Sequence, residues 1–323
     1  MLYQKINIKK IGYPDFVSEY VKYAIALTPV ILLASVGPAF ATENGLDDYP
    51  LGSESIDVSI KPPPGHLELQ GYNFFYSANL YSGPKKETGD DVRAYINAYL
   101  ITYTWPVSFY DGKITISSEV VLGGGTQRLS ISTPVGKLTG STTGLIDPIL
   151  MPALATYHGE KFAITLGPSV IVPAGTYNKS NPLASGPGVN HYTFAPLIYF
   201  TGELSNKLQL DMMSETGFST INPHTKYTSG IDTTILGALS YSITPHLQAG
   251  PVSYLYEQLT DDKQEGVVIH KGNKGQTLAL GAQVIYNFRP GTALVLKYYH
   301  DTFVQNRAGG NELWLEFAIP IGG

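Results

Sequence analysis

The residues with catalytic or ligating potential are few, and their spacing matches no reaction centre. Seven histidines occur, His66, His158, His191, His224, His246, His270 and His300, and cysteine is absent. No His-Glu-x-x-His pairing sets two imidazoles on one helical face for zinc, and no Gly-x-Ser-x-Gly elbow exposes a nucleophilic serine. His300 and Asp301 are adjacent, and neighbours on an extended strand point to opposite faces, so they form no dyad. Gly123-Gly124-Gly125 lacks the Lys-Ser/Thr of a phosphate loop and reads as a flexible strand exit. Asp261-Asp262 with Glu265 reads as a solvated acidic loop rather than a cation site. The pattern points away from an enzyme and from any cofactor; no catalytic, cofactor-binding or metal residue is assigned.

What remains is a set of polar side chains at every second position of otherwise apolar segments. The hairpin from Lys274 to Asp301 shows it best. Leu278, Leu280, Ala282, Val284, Tyr286 and Phe288 share one face. Thr277, Ala279, Gly281, Gln283 and Asn287 share the other, with Ile285 the only large apolar residue among them. After Arg289-Pro290-Gly291 the alternation resumes, with Leu294, Leu296 and Tyr298 opposite Lys297, Tyr299 and Asp301. A period of two means strand. A face bearing Gln, Asn, Lys and Asp is no dry core, so the apolar face is assigned to lipid and the polar face to an aqueous lumen. On that alternation Arg93, Tyr95, Tyr99, Glu119, Asp211, Glu215, Lys297, Tyr299, Glu312 and Glu316 are expected to line the lumen. Arg93, Tyr95, Tyr99, Lys297 and Tyr299 are expected to form a constriction where aromatic faces and cations orient a solute.

The elements that would position these residues are about twelve strands, mostly 11–15 residues long on this reading, enough for a tilted membrane span. Short turns are expected at 107–112, 158–160, 205–206, 244–245 and 289–291. Longer polar links are expected at 82–90, 124–144, 174–190, 220–229, 260–273 and 303–310. Strict alternation of short and long connections is the habit of an antiparallel transmembrane β-barrel, with short periplasmic turns and longer extracellular loops. Tyr103, Trp105, Tyr110, Tyr157, Tyr241, Tyr286 and Phe288 lie close to the short turns, as an aromatic belt at a lipid–water boundary would.

Composition agrees. Of 323 residues only 15% are charged, with 34 Gly and 23 Tyr, well under the roughly 25% charge of an average soluble domain. A net charge of -5 with no Lys/Arg cluster argues against nucleic acid as a partner. Residues 1–41 read as a signal peptide: Lys5, Lys9, Lys10 and Lys22 precede an apolar run from Tyr23 to Val36, and Ala39-Phe40-Ala41 supplies the small-x-small site, with cleavage after Ala41. Residues 42–64 read as a segment that hangs in the periplasm or folds back into the lumen, and 65–323 as the barrel.

The mature start Ala41-Thr42-Glu43-Asn44-Gly45, Asp48-Tyr49-Pro50-Leu51-Gly52 and Pro62-Pro63-Pro64-Gly65 leads into Tyr72-Asn73-Phe74-Phe75-Tyr76. With Leu145-Ile146-Asp147-Pro148, Pro173-Ala174-Gly175-Thr176-Tyr177, Tyr256-Glu257-Gln258-Leu259-Thr260-Asp261-Asp262-Lys263 and Gly272-Asn273-Lys274-Gly275, the chain resembles the phenol-degradation meta-pathway (MetA-pathway) outer-membrane proteins. The resemblance covers nearly all of the mature chain. It implies a channel in the outer membrane of a Gram-negative bacterium for passive uptake of small apolar or aromatic compounds. The partners would be outer-membrane lipid, the solute and the outer-membrane assembly machinery. The family carries no settled functional residues to transfer. The chain ends Ala318-Ile319-Pro320-Ile321-Gly322-Gly323 rather than on the aromatic residue typical of barrel assembly signals, so either Phe317 serves instead or the assembly machinery reads this end differently. The other readings are an outer-membrane barrel hydrolase acting on lipid and a structural barrel without transport.

Overall fold

A computed structural model of the chain describes residues 49–133, 136–180, 183, 186–269 and 271–321. The expected signal peptide lies outside the described residues, as do the first residues of the segment expected to follow it. The strands are β1 (Leu67–Ser82), β2 (Lys85–Phe109), β3 (Ile114–Thr133), β4 (Gly136–Leu145), β5 (Ile149–His158), β6 (Phe162–Ile171), β7 (Thr193–Ser205), β8 (Leu208–Ser219), β9 (Tyr227–Thr228), β10 (Asp232–Ser242), β11 (Leu247–Gln258), β12 (Lys263–Gln264), β13 (Val267–Val268), β14 (Gln276–Arg289), β15 (Thr292–Gln305) and β16 (Ala308–Ile321). No helix occurs among the described residues.

Each long strand pairs antiparallel with its sequence neighbours, and the sheet closes where β1 meets β16, from Leu67↔Ile321 to Leu80↔Ala308. β3 pairs with β5 along its first half and with β4 along its second. β4 and β5 are therefore one course of the wall, interrupted at Ile146-Asp147-Pro148, where Pro148 has no N–H to give a ladder. Counting that course once, the wall is a closed twelve-stranded antiparallel barrel, as the alternation requires. Closure leaves no sheet edge unpaired, the condition for spanning a bilayer with strands.

The face assignment holds along β14 and β15. Leu280, Val284, Tyr286, Phe288, Leu294, Leu296 and Tyr298 are exposed on the outside, while Gln283, Ile285, Lys297 and Tyr299 are buried within. Outer aromatics form contacts near the short turns, such as Tyr103 on Trp105 at 5.1 Å and Tyr286 on Phe288 at 4.9 Å between ring centroids. A second group sits nearer the other end, with Phe75 4.9 Å from Tyr95 and Phe194 6.4 Å from Phe218.

The short turns fall where expected, but three of the expected long links are strand. β1 and β2 meet across Gly83-Pro84, β3 and β4 form one hairpin, and β15 and β16 run on to Gln305 and Ala308. The first two extensions are rich in Lys, Thr, Ser and Gly, a composition that reads as loop by polarity alone, and the third has Asn306-Arg307 and Gly309-Gly310 at its turn. The extra length is large: β2 has 25 residues and β3 has 20, against the roughly 9–11 needed to cross a bilayer. Gly123-Gly124-Gly125 is not a strand exit. It lies in mid-β3, opposite Asn97, Ile96 and their neighbours on β2. A Cβ on Gly125 would sit 2.2 Å from the Tyr95 carbonyl oxygen, so the glycines let two strands approach where β3 changes partner. The links 174–190, 220–229 and 260–273 remain connections, and β9, β12 and β13 make a small three-stranded sheet among them.

Candidate functional site

The described part of the segment before β1 occupies the lumen. It enters β1 at the short-turn end, where the Gly65 N–H donates to the Thr104 carbonyl oxygen at 2.7 Å. From there back to Tyr49 it is tied to inner-face side chains of several strands. Lys61 pairs with Glu119 of β3 at 2.7 Å. The Ser59 and Val58 N–H groups donate to Thr201 Oγ1 at 3.0 Å and Asp211 Oδ1 at 3.3 Å. Gln209 Nε2 bridges Asp57 and Asp211 at 3.0 and 2.8 Å. Gln283 Nε2 donates to the Ser55 carbonyl oxygen at 3.3 Å.

The densest anchor is Lys297 of β15. Its fully buried ammonium donates to the carbonyl oxygens of Gly52 at 2.8 Å and Ser53 at 2.5 Å, and pairs with Glu316 of β16 at 2.6 Å. Such charge-assisted bonds are the strong ones. Tyr299 packs beside it, with its hydroxyl 3.4 Å from the Gly52 carbonyl. The chain can present two carbonyls to one ammonium because Gly52 turns back at φ +81°, in the left-handed region, with the Ser53 N–H closing on the Pro50 carbonyl at 3.4 Å. A Cβ at Gly52 would meet the Tyr299 ring at 2.9 Å and Glu312 Oε2 at 3.2 Å. Glu54 beyond it accepts from the Tyr72 hydroxyl at 3.4 Å. Burial pushes the Glu54 carboxyl above its ordinary value, against the opposing pull of Lys61 and Lys297.

Above this polar tier the lumen changes character. A cavity of about 190 Å³ lies between Tyr49, Leu51 and Glu54 of the segment and a wall made by Tyr72, Phe74, Tyr76, Ala94, Ile96, Ala98, Val121 and Trp314. Phe74 lies 4.3 Å from Trp314 and 5.8 Å from Tyr76, centroid to centroid. At one side Glu312 accepts from Trp314 Nε1 at 3.2 Å and from the Tyr254 hydroxyl at 2.6 Å, and that hydroxyl is also 2.8 Å from Asp301. Arg307 also borders the cavity, its guanidinium 4.1 Å over the Tyr256 ring. Asp147, in the break between β4 and β5, accepts from the N–H groups of Gly175 at 2.6 Å and Val189 at 2.7 Å, and so pins the following link over the cavity's edge.

Of the residues expected to line the lumen, Glu119, Asp211, Glu215, Lys297, Tyr299, Glu312 and Glu316 are buried within the barrel. Lys297, Tyr299, Glu312 and Glu316 cluster around Gly52, whereas Glu119 and Asp211 hold the segment at separate points. Arg93, Tyr95 and Tyr99 are a correction. They stand on the outer face of β2: Tyr95 and Tyr99 are each 41% exposed, and Arg93 reaches Asp91 at 3.8 Å with its side chain open to the surroundings. The inner face of β2 is Val92, Ala94, Ile96, Ala98 and Leu100. The lumen is apolar there, so sorting faces by polarity inverts them. No constriction therefore joins Arg93 to Lys297. The aromatics of the cavity were not expected as site residues, although Tyr72-Asn73-Phe74-Phe75-Tyr76 carries aromatics on both faces, a signal that some of them must point inward.

A closed twelve-stranded antiparallel wall, greasy outside and filled by its own leading segment, defines an outer-membrane-type β-barrel. The fold is that of the COG4313 outer membrane channel from Pseudomonas putida F1, with a TM-score of 0.69 and 14% identity over 80% of this chain and 97% of that one. The β domain of the Bordetella autotransporter BrkA (TM-score 0.47, 14% identity, 78% and 98% covered) and the KdgM porin (0.40, 9%, 79% and 99%) are more distant barrels. No curated protein matches the sequence. Residues 77–317 match the family described as the MetA-pathway of phenol degradation, and the chain belongs to that family.

Proposed function

We propose that the protein is a channel of the Gram-negative outer membrane that passes small apolar or aromatic solutes passively. It would be seated in outer-membrane lipid and inserted by the outer-membrane assembly machinery. The observation that carries this is the contrast within the lumen. The segment seals the polar tier through the buried Lys61–Glu119 ion pair and the hydrogen bonds from buried Lys297, which disfavours a wet pore, while the space left beside it is walled by aromatic and aliphatic side chains. Apolar surroundings with a few placed polar groups are what a small-molecule site requires. Membership of the phenol-degradation family supports the aromatic class of solute, and the fold shared with the COG4313 outer membrane channel supports the channel role. The reading as a structural barrel without transport draws on the complete burial of Lys297 and Tyr299, but the open cavity counts against it.

The test is growth on candidate aromatic substrates at limiting concentration, with and without the gene, alongside uptake of the same compounds by vesicles holding the purified protein. Faster uptake of aromatic than of hydrophilic solutes of equal size is expected. Equal rates for both, or no gain over empty vesicles, would refute the proposal.

A further inference from the structure

The cavity is shared property: Phe74, Ile96 and Trp314 come from the wall, whereas Tyr49, Leu51 and Glu54 come from the docked segment. Its volume, about 190 Å³, sets a limit on occupants. An apolar protein cavity of roughly 150 Å³ holds one benzene molecule, so the space matches one ring with a small substituent better than two fused rings. The polar groups at its border set a second condition. Glu54 accepts one contact, from Tyr72 at 3.4 Å, and Glu312 accepts two, from Tyr254 and Trp314. A carboxyl group has more acceptor sites than these contacts fill, so both retain capacity for a donor arriving from the cavity.

We propose that this cavity is a solute site built jointly by the wall and the segment, that it takes a molecule of one aromatic ring carrying one hydrogen-bond donor, and that its occupancy holds the segment in place. The proposal rests on the reading of the chain as a passage for aromatic solutes and adds the site, its size limit and its coupling to the segment. A ligand that touches the segment binds the docked arrangement better than one with the segment withdrawn. By linkage it then favours docking by a factor of 1 + [L]/Kd. Solute therefore closes the lumen rather than opening it, and transit requires the occupied site to empty before the segment can move.

The experiment uses the purified protein in lipid nanodiscs, with empty nanodiscs as background for partitioning. Ligand-observed fluorine NMR measures 4-fluorophenol, 4-fluorotoluene and 6-fluoro-2-naphthol. Saturable binding of 4-fluorophenol is expected, about ten-fold or more tighter than either of the others. Ala94→Phe, which fills the cavity from the wall, should abolish it, and Glu54→Gln, which alters only the segment, should weaken it several-fold. Hydrogen exchange at residues 51–60 should slow in proportion to occupancy. Binding that survives Ala94→Phe and Glu54→Gln alike, or exchange that is unchanged or faster at saturation, would overturn the proposal. Vesicle uptake separates the two readings. Uptake without segment-linked binding refutes the shared site alone, and segment-linked binding without uptake refutes the transport reading alone.

Discussion

Replacing Lys297 with methionine tests the central anchor. The substitution keeps the length of the side chain and removes the ammonium that joins the segment to the wall. Lys297 gives the segment two hydrogen bonds, to the Gly52 and Ser53 carbonyl oxygens, and bonds from a charged donor contribute about 1.5–3 kcal/mol each. The lower figure for both bonds gives about 3 kcal/mol, which at 1.4 kcal/mol per decade raises the withdrawn population on the order of 100-fold. The single variant also strands Glu316 in the wall, and removing one partner of a buried pair costs about 3–5 kcal/mol. Lys297→Met with Glu316→Gln removes that second effect and isolates the loss to the segment. Planar-bilayer recording reads the outcome directly: the open fraction should rise steeply in the double variant and approach that of a protein lacking residues 49–61. If the double variant stays as closed as the parent while the truncated protein conducts, the Lys297 contacts do not hold the segment and the reasoning fails.

Gly52→Ala should act in the same direction. It strains a φ of +81° and drives a methyl to 2.9 Å from the Tyr299 ring, a loss of about 1–2 kcal/mol in docking, read as faster hydrogen exchange at residues 51–60 with the barrel's own stability unchanged. Arg93→Ala should leave conductance and ion selectivity as they are, because its side chain lies outside the lumen; a change in either by bilayer recording would return it to the pore. Docking should also depend on pH through Glu54. Burial raises its folded value above the ordinary 4.5, so its contribution is fully present below about 4.5, is lost as pH rises through the raised value, and is opposed throughout by Lys61 and Lys297. Conductance should therefore climb with pH from that point, with the slope reduced in Glu54→Gln. An identical profile in the two proteins would count against the assignment.

The wall was legible in the sequence wherever its two faces meet different solvents. Leu280, Val284 and Leu296 stand exposed on the outer face while Gln283 and Lys297 are buried in the lumen, and a period of two carries that difference in plain view. It fails in β2, where Ala94, Ile96 and Ala98 line an apolar cavity and Tyr95 and Tyr99 take the outer side. It fails also in the hairpins of β1–β2 and β3–β4, where polar residues dominate the sequence around a small buried cluster of Ala78, Val92 and Leu129. The lumen segment was open to two placements, because Gly52, Ser53, Ser55 and Ser59 have little side chain to declare a preference. Their attachment runs through backbone groups and depends on Lys297, Gln283 and Thr201, which lie more than 140 residues away in sequence.

The seam between β1 and β16 has a bearing on how the molecule is put together. The first strand can zip to the last only when the whole chain has been delivered. The stretch leading into β1 finds its partners on β3, β7, β8, β14 and β15 together. Contacts so distant along the chain form late, since each demands closure of a long loop beforehand. The stopper's anchors on β14 and β15 thus settle late, together with the seam itself, whose partners lie as far apart in sequence.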